Sequence, residues 1–253
     1  MGTYLKVELK KNQMPLIFML IAAFLGIQFM WSMMGLISPN EQQMQWGWMM
    51  VLSQMPIINA VLAPTFMAVI ASRIADVEHK GSTLKLLYTL QSRTSVYHVK
   101  LLLGAGISLL VSIGQAVILV AVGKISHFEG NVPVTRLCIY YGLSFLVTFA
   151  SYLLQLNLSL KFRNQMVPLA IGILGSFCGL FVMYLYQFKV LQHVVLWTNY
   201  VTMAVAMLIE YDQQTRTSQY AWCDVNWYGI LSVGIWTAVL YLWGRSIVKK
   251  GEV

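Results

Sequence analysis

Charge is what this chain has least of. Asp, Glu, Lys and Arg together supply 10% of its 253 residues, against about 25% in a soluble globular domain, and the acidic sign is the scarcer, 9 residues against 17 basic. An ordinary soluble domain is excluded. Cysteine is nearly absent: Cys138, Cys178 and Cys223 are an odd number with no CxxC or metal-ligand spacing, so no disulfide framework can be read. Catalytic signatures are missing too. The chain has no G-x-x-x-x-G-K-[ST] loop to cradle phosphates, no H-E-x-x-H, no G-x-S-x-G and no paired carboxylates within an apolar run. Its histidines, His79, His98, His127 and His193, are scattered. An enzyme is the least supported class, for want of a nucleophile, base or metal set.

What is present in excess is apolar surface. Apolar residues make up 58% of the chain and the mean hydropathy is +0.67. They gather in runs at about residues 14–36, 49–72, 101–122, 137–160, 166–186 and 228–247, each near the ~20 residues a helix needs to cross a bilayer. The expected fold is an all-α polytopic membrane protein with six spans in one domain, residues 1–253. The first run is too long for a signal peptide, lacks a small-residue cleavage site and is followed by further spans, so it is expected to be retained. Ion-coupled carriers usually place charged groups at mid-membrane. Here the spans hold uncharged Gln54, Asn59, Gln115, Gln155 and Asn157, which can join helices or touch a substrate. Pro56 and Pro64 remove backbone donors from the second span, and Gly175 and Gly179 permit close approach of a neighbour.

Basic residues are retained on the cytoplasmic side of short loops. With the N-terminus inside, Lys6, Lys10, Lys11, Arg73, Lys80, Lys85, Arg93, Lys100, Lys161, Arg163, Arg245, Lys249 and Lys250 fall inside, and Lys124, Arg136, Lys189 and Arg216 outside, 13 against 4. The net +8 is thus topological and needs no nucleic acid. The apolar stretch 193–210 threatens this count. If it crossed, Arg245, Lys249 and Lys250 would move outside, so within the outer segment 187–227 it is expected to be re-entrant or surface-lying. Thr198, Asn199 and Thr202 would then need polar partners. Trp31, Trp46, Trp48, Trp222 and Trp227 map to the outer boundary and Trp243 to the inner one, as anchors; Trp236 lies in mid-span.

The most informative segment is the basic elbow 73–100 between the second and third spans. Gly81 breaks the approach, Ser82 or Thr83 can cap a new helix, and Leu84, Leu87, Tyr88 and Gln91 then share one side. Glu78, Gly81, Thr83, Leu84, Lys85, Leu86 and Leu87, followed by Ser92, Arg93, Tyr97 and Lys100, resemble the E-x-x-G-x-T-L-K-L-L … S-R-x-x-x-Y-x-x-K pattern of ABC-2 type transporter permeases. The wording ADVEHKGSTLKLLYTLQSR is most similar to the lantibiotic-immunity branch, the bacteriocin self-protection permease subunits. Many members have Pro where Gln91 stands. The opening YLKVELKKNQ resembles the family's amphipathic connecting helix, with Tyr4, Leu5, Leu9 and Met14 toward the membrane, or else is a basic flank.

The resemblance implies a six-span permease subunit of an ATP-driven exporter, without an ATPase site, in a bacterial plasma membrane with both termini cytoplasmic. It implies two copies of an ATP-binding subunit, which would hold ATP and Mg, and a second permease, homologous or identical. No cofactor is expected on this chain. Glu78, Gly81, Thr83, Leu84, Leu87, Tyr88 and Arg93 become the expected ATPase-coupling residues. The implied substrate is a cationic antimicrobial peptide taken from membrane lipid, for which Glu210, Asp212, Asp224, Trp197 and Asn199 are candidate contacts; solvated loop charges are the other reading of the acidic ones. A stand-alone carrier or a membrane scaffold or peptide sensor remains open from the residues alone.

Overall fold

Backbone in hydrocarbon must satisfy its own N–H and C=O groups, which drives long apolar runs into helices. The computed structural model describes residues 9, 11–12, 14–36, 44–80, 92–185, 187–212 and 217–250. Six of its helices are long and apolar enough to cross a membrane, and they fall on the six expected stretches. They are α1 (Met14–Met34), α2 (Gly47–Lys80), α3 (Arg93–Ile125), α4 (Val134–Lys161), α5 (Met166–Met183) and, last in the chain, α8 (Trp227–Lys250).

The second and third helices are longer than expected, at 34 and 33 residues. Beyond the hydrocarbon, good helix formers such as Arg73, Ala75, Glu78 and Lys80 continue α2. Much of the elbow is therefore an overhang of two spans. Its centre, with Gly81, Thr83, Leu84, Leu87 and Tyr88, lies outside the described residues, as do Tyr4 and Leu5; of Glu78 only the helical backbone is described. Pro56 and Pro64 remain inside α2.

The central helix is α2. In its most apolar window 61% of residues are buried by the rest of the chain, against 28% in α1 and 22% in α8. It is flanked by α4 and α5, while α3 and α8 pack on α4 and α1 packs on α3. Two apolar clusters result. One gathers Ile17, Phe24, Met67, Ile70, Tyr97 and Tyr152, and the other gathers Trp48, Val51, Leu52, Leu119, Phe128 and Tyr140. Trp48 is only 7% exposed, edge-on to Phe128 at 5.4 Å. It belongs to the core rather than to a lipid-facing belt, whereas Trp31 and Trp227 are 49% and 74% exposed.

The stretch 193–210 is not one helix. It breaks into α6 (Lys189–Val194), a 3-10 turn (Leu196–Thr198), α7 (Asn199–Thr202) and β1 (Ala206–Asp212). An antiparallel hairpin, β1 with β2 (Thr217–Trp222), adds a β element to the mostly helical fold, in a register from Ala206↔Trp222 to Asp212↔Thr217 with an irregularity between Leu208 and Glu210.

Candidate functional site

At the N-terminal end of α3 the elbow pattern acquires a structural reason. Ser92 caps the helix, its hydroxyl accepting from the Ser95 N–H at 3.3 Å, and Arg93 beside it is exposed. One turn further on, Tyr97 is 1% exposed, and its hydroxyl donates to Asn157 Oδ1 at 3.0 Å. The Asn157 amide in turn donates to the Leu240 carbonyl at 2.7 Å, so one side chain on α4 joins α3 to α8. Lys100, also 1% exposed, donates from Nζ to the Ile74 carbonyl of α2 at 3.0 Å, and the Tyr152 hydroxyl donates to the Lys100 carbonyl at 2.9 Å. His98 stacks on Tyr241 with 6.0 Å between rings and shares a 2.9 Å hydrogen bond with its hydroxyl.

The consequence is mechanical. Buried polar groups are costly unless paired, and here the pairs run between helices, so the start of α3 is fixed to α2, α4 and α8 together. Tyr97 and Lys100 thus anchor the bundle, whereas Arg93 alone among the expected coupling side chains is described, and it faces out. Sequence reading passed over Tyr152 and Gly244; the latter sits where a Cβ would run into the Tyr97 hydroxyl and Asn157 Oδ1. Gly244 is one of three glycines in α8, with Gly229 and Gly234, and nothing in the sequence singles it out.

A second network joins the first four helices. The Asn59 oxygen accepts from Gln28 Nε2 at 2.7 Å and Gln115 Nε2 at 2.8 Å, and its amide donates to the Tyr140 hydroxyl at 3.0 Å. These side chains are at most 2% exposed and come from α1, α2, α3 and α4. Gln155, with its amide oriented to satisfy both ends, donates to the Pro168 carbonyl at 2.8 Å and accepts from the Gly172 N–H at 3.3 Å. Of the two readings open for the polar residues of the spans, helix joining describes Asn59, Gln115, Gln155 and Asn157.

The outer segment is tied down the same way. The Asn199 amide donates to the carbonyls of His193, Val195 and Leu196 at 3.3, 3.1 and 3.2 Å, and its oxygen accepts from the Thr202 hydroxyl at 3.3 Å. Asn199 is fully buried, its side chain bonded within its own segment. The half-buried Trp197 ring lies over Gly175, a Cβ on Gly179 would stand 2.9 Å from Trp197 Cβ, and the indole N–H is buried with no hydrogen-bond partner among the described residues. The two glycines form a notch that seats the 3-10 turn on α5.

The acidic candidates do not converge. Glu210 and Asp212 are exposed on β1, two residues apart and so on one face. Asp224 follows β2 at the other end of the hairpin, about 20 Å from Asp212 at 3.3 Å per residue. Beside it, Arg136 donates to the Cys223 carbonyl at 2.7 Å and lies 5.4 Å over the Trp222 ring. Burial pushes the Cys223 thiol above its ordinary range; Arg136 opposes the shift and Asp224 adds to it. The cysteines are free, Cys138 and Cys178 exposed on the helices, and the described residues contain no cluster of metal-ligating side chains.

No curated protein and no solved structure matches the chain. A model of the family described as ABC-2 family transporter protein matches residues 5–179, a stretch that contains α1 to α4, most of α5, the elbow and the whole Asn59 network. With that match over most of its length and six apolar helices of spanning length, the chain belongs to the ABC-2 family of transporter proteins, as a multi-pass permease component that partners an ABC ATP-binding subunit.

Proposed function

We propose that the chain is one permease subunit of an ATP-driven exporter that clears cationic lanthionine peptides from a bacterial plasma membrane and so gives immunity to them. Both termini face the cytoplasm, on the side where the basic residues gather. Two copies of the ATP-binding subunit, holding ATP and Mg, sit there, and a second permease, identical or homologous, completes the transmembrane part. The elbow Glu78 to Lys100 meets the ATP-binding pair, with Gly81, Thr83, Leu84, Leu87, Tyr88 and Arg93 at the contact. Closure of that pair pushes the elbow, and the ties of Tyr97 and Lys100 carry the push into α2, α4 and α8.

The observation that most supports a peptide substrate is the surface of β1. Met207, Leu208, Ile209 and Tyr211 are 53%, 46%, 62% and 52% exposed, interleaved with Glu210 and Asp212. A cationic amphipathic peptide complements both the apolar and the acidic part. A two-stranded sheet also has outer edges to which an extended peptide can add a strand. The test is survival: cells carrying the chain with its ATP-binding subunit should withstand a lanthionine peptide at a dose that kills cells whose ATP-binding subunit is inactivated. Equal survival would remove the export reading.

A further inference from the structure

A groove of about 690 Å³ runs down one side of α8, walled by Val190 and Val194 of α6 and by Leu231, Ile235 and Val239 of α8. From Tyr228 at its upper end to Val239 at its lower, the lining positions keep the 3- and 4-residue spacing of one helix face. That face descends about 16 Å at 1.5 Å per residue, half of the ~30 Å of hydrocarbon in a bilayer. The groove begins at the first turn of α8 and stops midway. It is one leaflet deep.

Its polar atoms are already used. The Ser232 hydroxyl donates to the His193 carbonyl, and the Trp236 indole N–H donates to the Val194 carbonyl at 2.7 Å. The His193 ring nitrogens meet the Lys189 carbonyl at 2.8 Å and the Asn226 amide at 3.0 Å. The lining is almost wholly hydrocarbon, and its one charged side chain is Lys189, whose carbonyl is joined through the His193 ring to Asn226 at the head of α8; no ion pair to Lys189 is found among the described residues. Exposed Trp227 and Tyr228, at 74% and 76%, begin α8, with the Tyr228 ring edge-on to His193 at 6.2 Å; such aromatic rings mark a membrane interface.

We infer that this groove holds one acyl chain of an anionic phospholipid, with its phosphate at Lys189. An apolar channel one leaflet deep beneath a single cation has the shape and the charge order of such a lipid. A transmembrane helix from a partner would need a matching surface through both leaflets, and the groove supplies half of one. An extended peptide would bring backbone N–H and C=O groups that the lining cannot satisfy, and a cationic peptide would meet Lys189. The lipid bridges α6 to α8 and so fixes the outer segment against the last span. The inference goes beyond the export reading; only its assignment to the outer leaflet rests on the orientation proposed above.

Trp236 lines the groove and serves as the reporter. The full chain purified in detergent is titrated with phosphatidylglycerol brominated in its acyl chains, and in parallel with brominated phosphatidylcholine. Phosphatidylglycerol should quench a component of the fluorescence that Trp236→Phe removes. Lys189→Gln, a change at an exposed position, should raise the half-quenching concentration of phosphatidylglycerol about fivefold and leave that of phosphatidylcholine unchanged. Ile235→Trp, which fills the groove, should slow the exchange of a retained lipid or abolish its binding, as read by native mass spectrometry. Equal quenching by the two lipids, unaffected by Lys189→Gln, would mean unselective surrounding lipid and overturn the inference. So would absence of Trp236 quenching together with a disulfide between two copies of a Leu231→Cys variant, which would make the groove a chain interface. No nucleotide, peptide or ATP-binding subunit enters this measurement, so its failure leaves the export reading standing.

Discussion

The Tyr97 hydroxyl donates to Asn157 Oδ1 at 3.0 Å directly above Gly244, where any side chain would collide with both atoms. Three helices meet there because position 244 carries no Cβ. Gly244→Ala should destabilise the purified chain by about 1–3 kcal/mol, the usual range for overpacking, and thermal unfolding in detergent measures it. Tyr97→Phe in the same background removes the first atom that the methyl meets and should recover part of the loss. An unchanged unfolding temperature for Gly244→Ala would contradict this packing.

Asn59 offers a second test. Its oxygen satisfies two amides, those of Gln28 and Gln115, so Asn59→Leu leaves them buried and unpaired. A cost of about 1–3 kcal/mol is expected for such orphaned donors, larger than for Cys138→Ser at an exposed position. Equal unfolding of the two variants would mean that the network contributes nothing to holding α1 to α4 together.

The sequence made the spans legible because crossing hydrocarbon leaves one simple demand, about 20 apolar residues in a row. It left the overhangs of α2 and α3 illegible, since Arg73, Asp76, Arg93 and Lys100 read as loop once apolar character ends. The hairpin escaped for another reason: Ala206 to Ile209 is a short apolar run, whose periodicity does not separate strand from helix. Alternation of Tyr220 and Trp222, both packed on the cluster of Trp48 and Phe128, is the available strand signal. At the elbow, Tyr97 and Lys100 stood out as part of a motif, but that they grip Asn157 and Ile74 depends on helices far apart in the chain. Trp197 and Asn199 look like contacts because they are polar or aromatic in an apolar stretch. In the fold Asn199 bonds to the carbonyls of its own segment and the Trp197 ring seats on Gly175, partners that lie too far along the chain or too locally to be read from composition.

If β1 is where a peptide substrate lies, its charge matters at two adjacent positions. Glu210→Lys with Asp212→Lys should lower resistance to a cationic lanthionine peptide severalfold, each reversed charge near the membrane surface being worth about 1 kcal/mol or more. Basal ATPase activity of the complex should not change. Asp224→Lys, at the far end of the hairpin, should have the smaller effect. Unaltered resistance in the double variant would remove these carboxylates from the peptide contact.

Cys223 tests the geometry at the base of the hairpin. Because the thiolate is the reacting form and burial raises the thiol pKa, alkylation in a Cys138→Ser, Cys178→Ser background should lag behind a free thiol at pH 8. Its rate should climb at higher pH than is ordinary for cysteine. Asp224→Asn removes a charge that raises the pKa and should shift the profile down. A profile like that of free cysteine, insensitive to residue 224, would mean that the thiol is not buried beside Arg136 and Asp224.

The central claim is that the connection between α2 and α3 lies in the cytoplasm, within reach of the ATP-binding subunit. A single cysteine at Leu84 or Tyr88 in the same background, with Cys223 also replaced, can be probed in intact cells with a membrane-impermeant maleimide. Protection until the membrane is opened, with cross-linking to the ATP-binding subunit afterwards, is the required result. Labelling from outside intact cells would place the elbow on the wrong face of the membrane and contradict the claim outright.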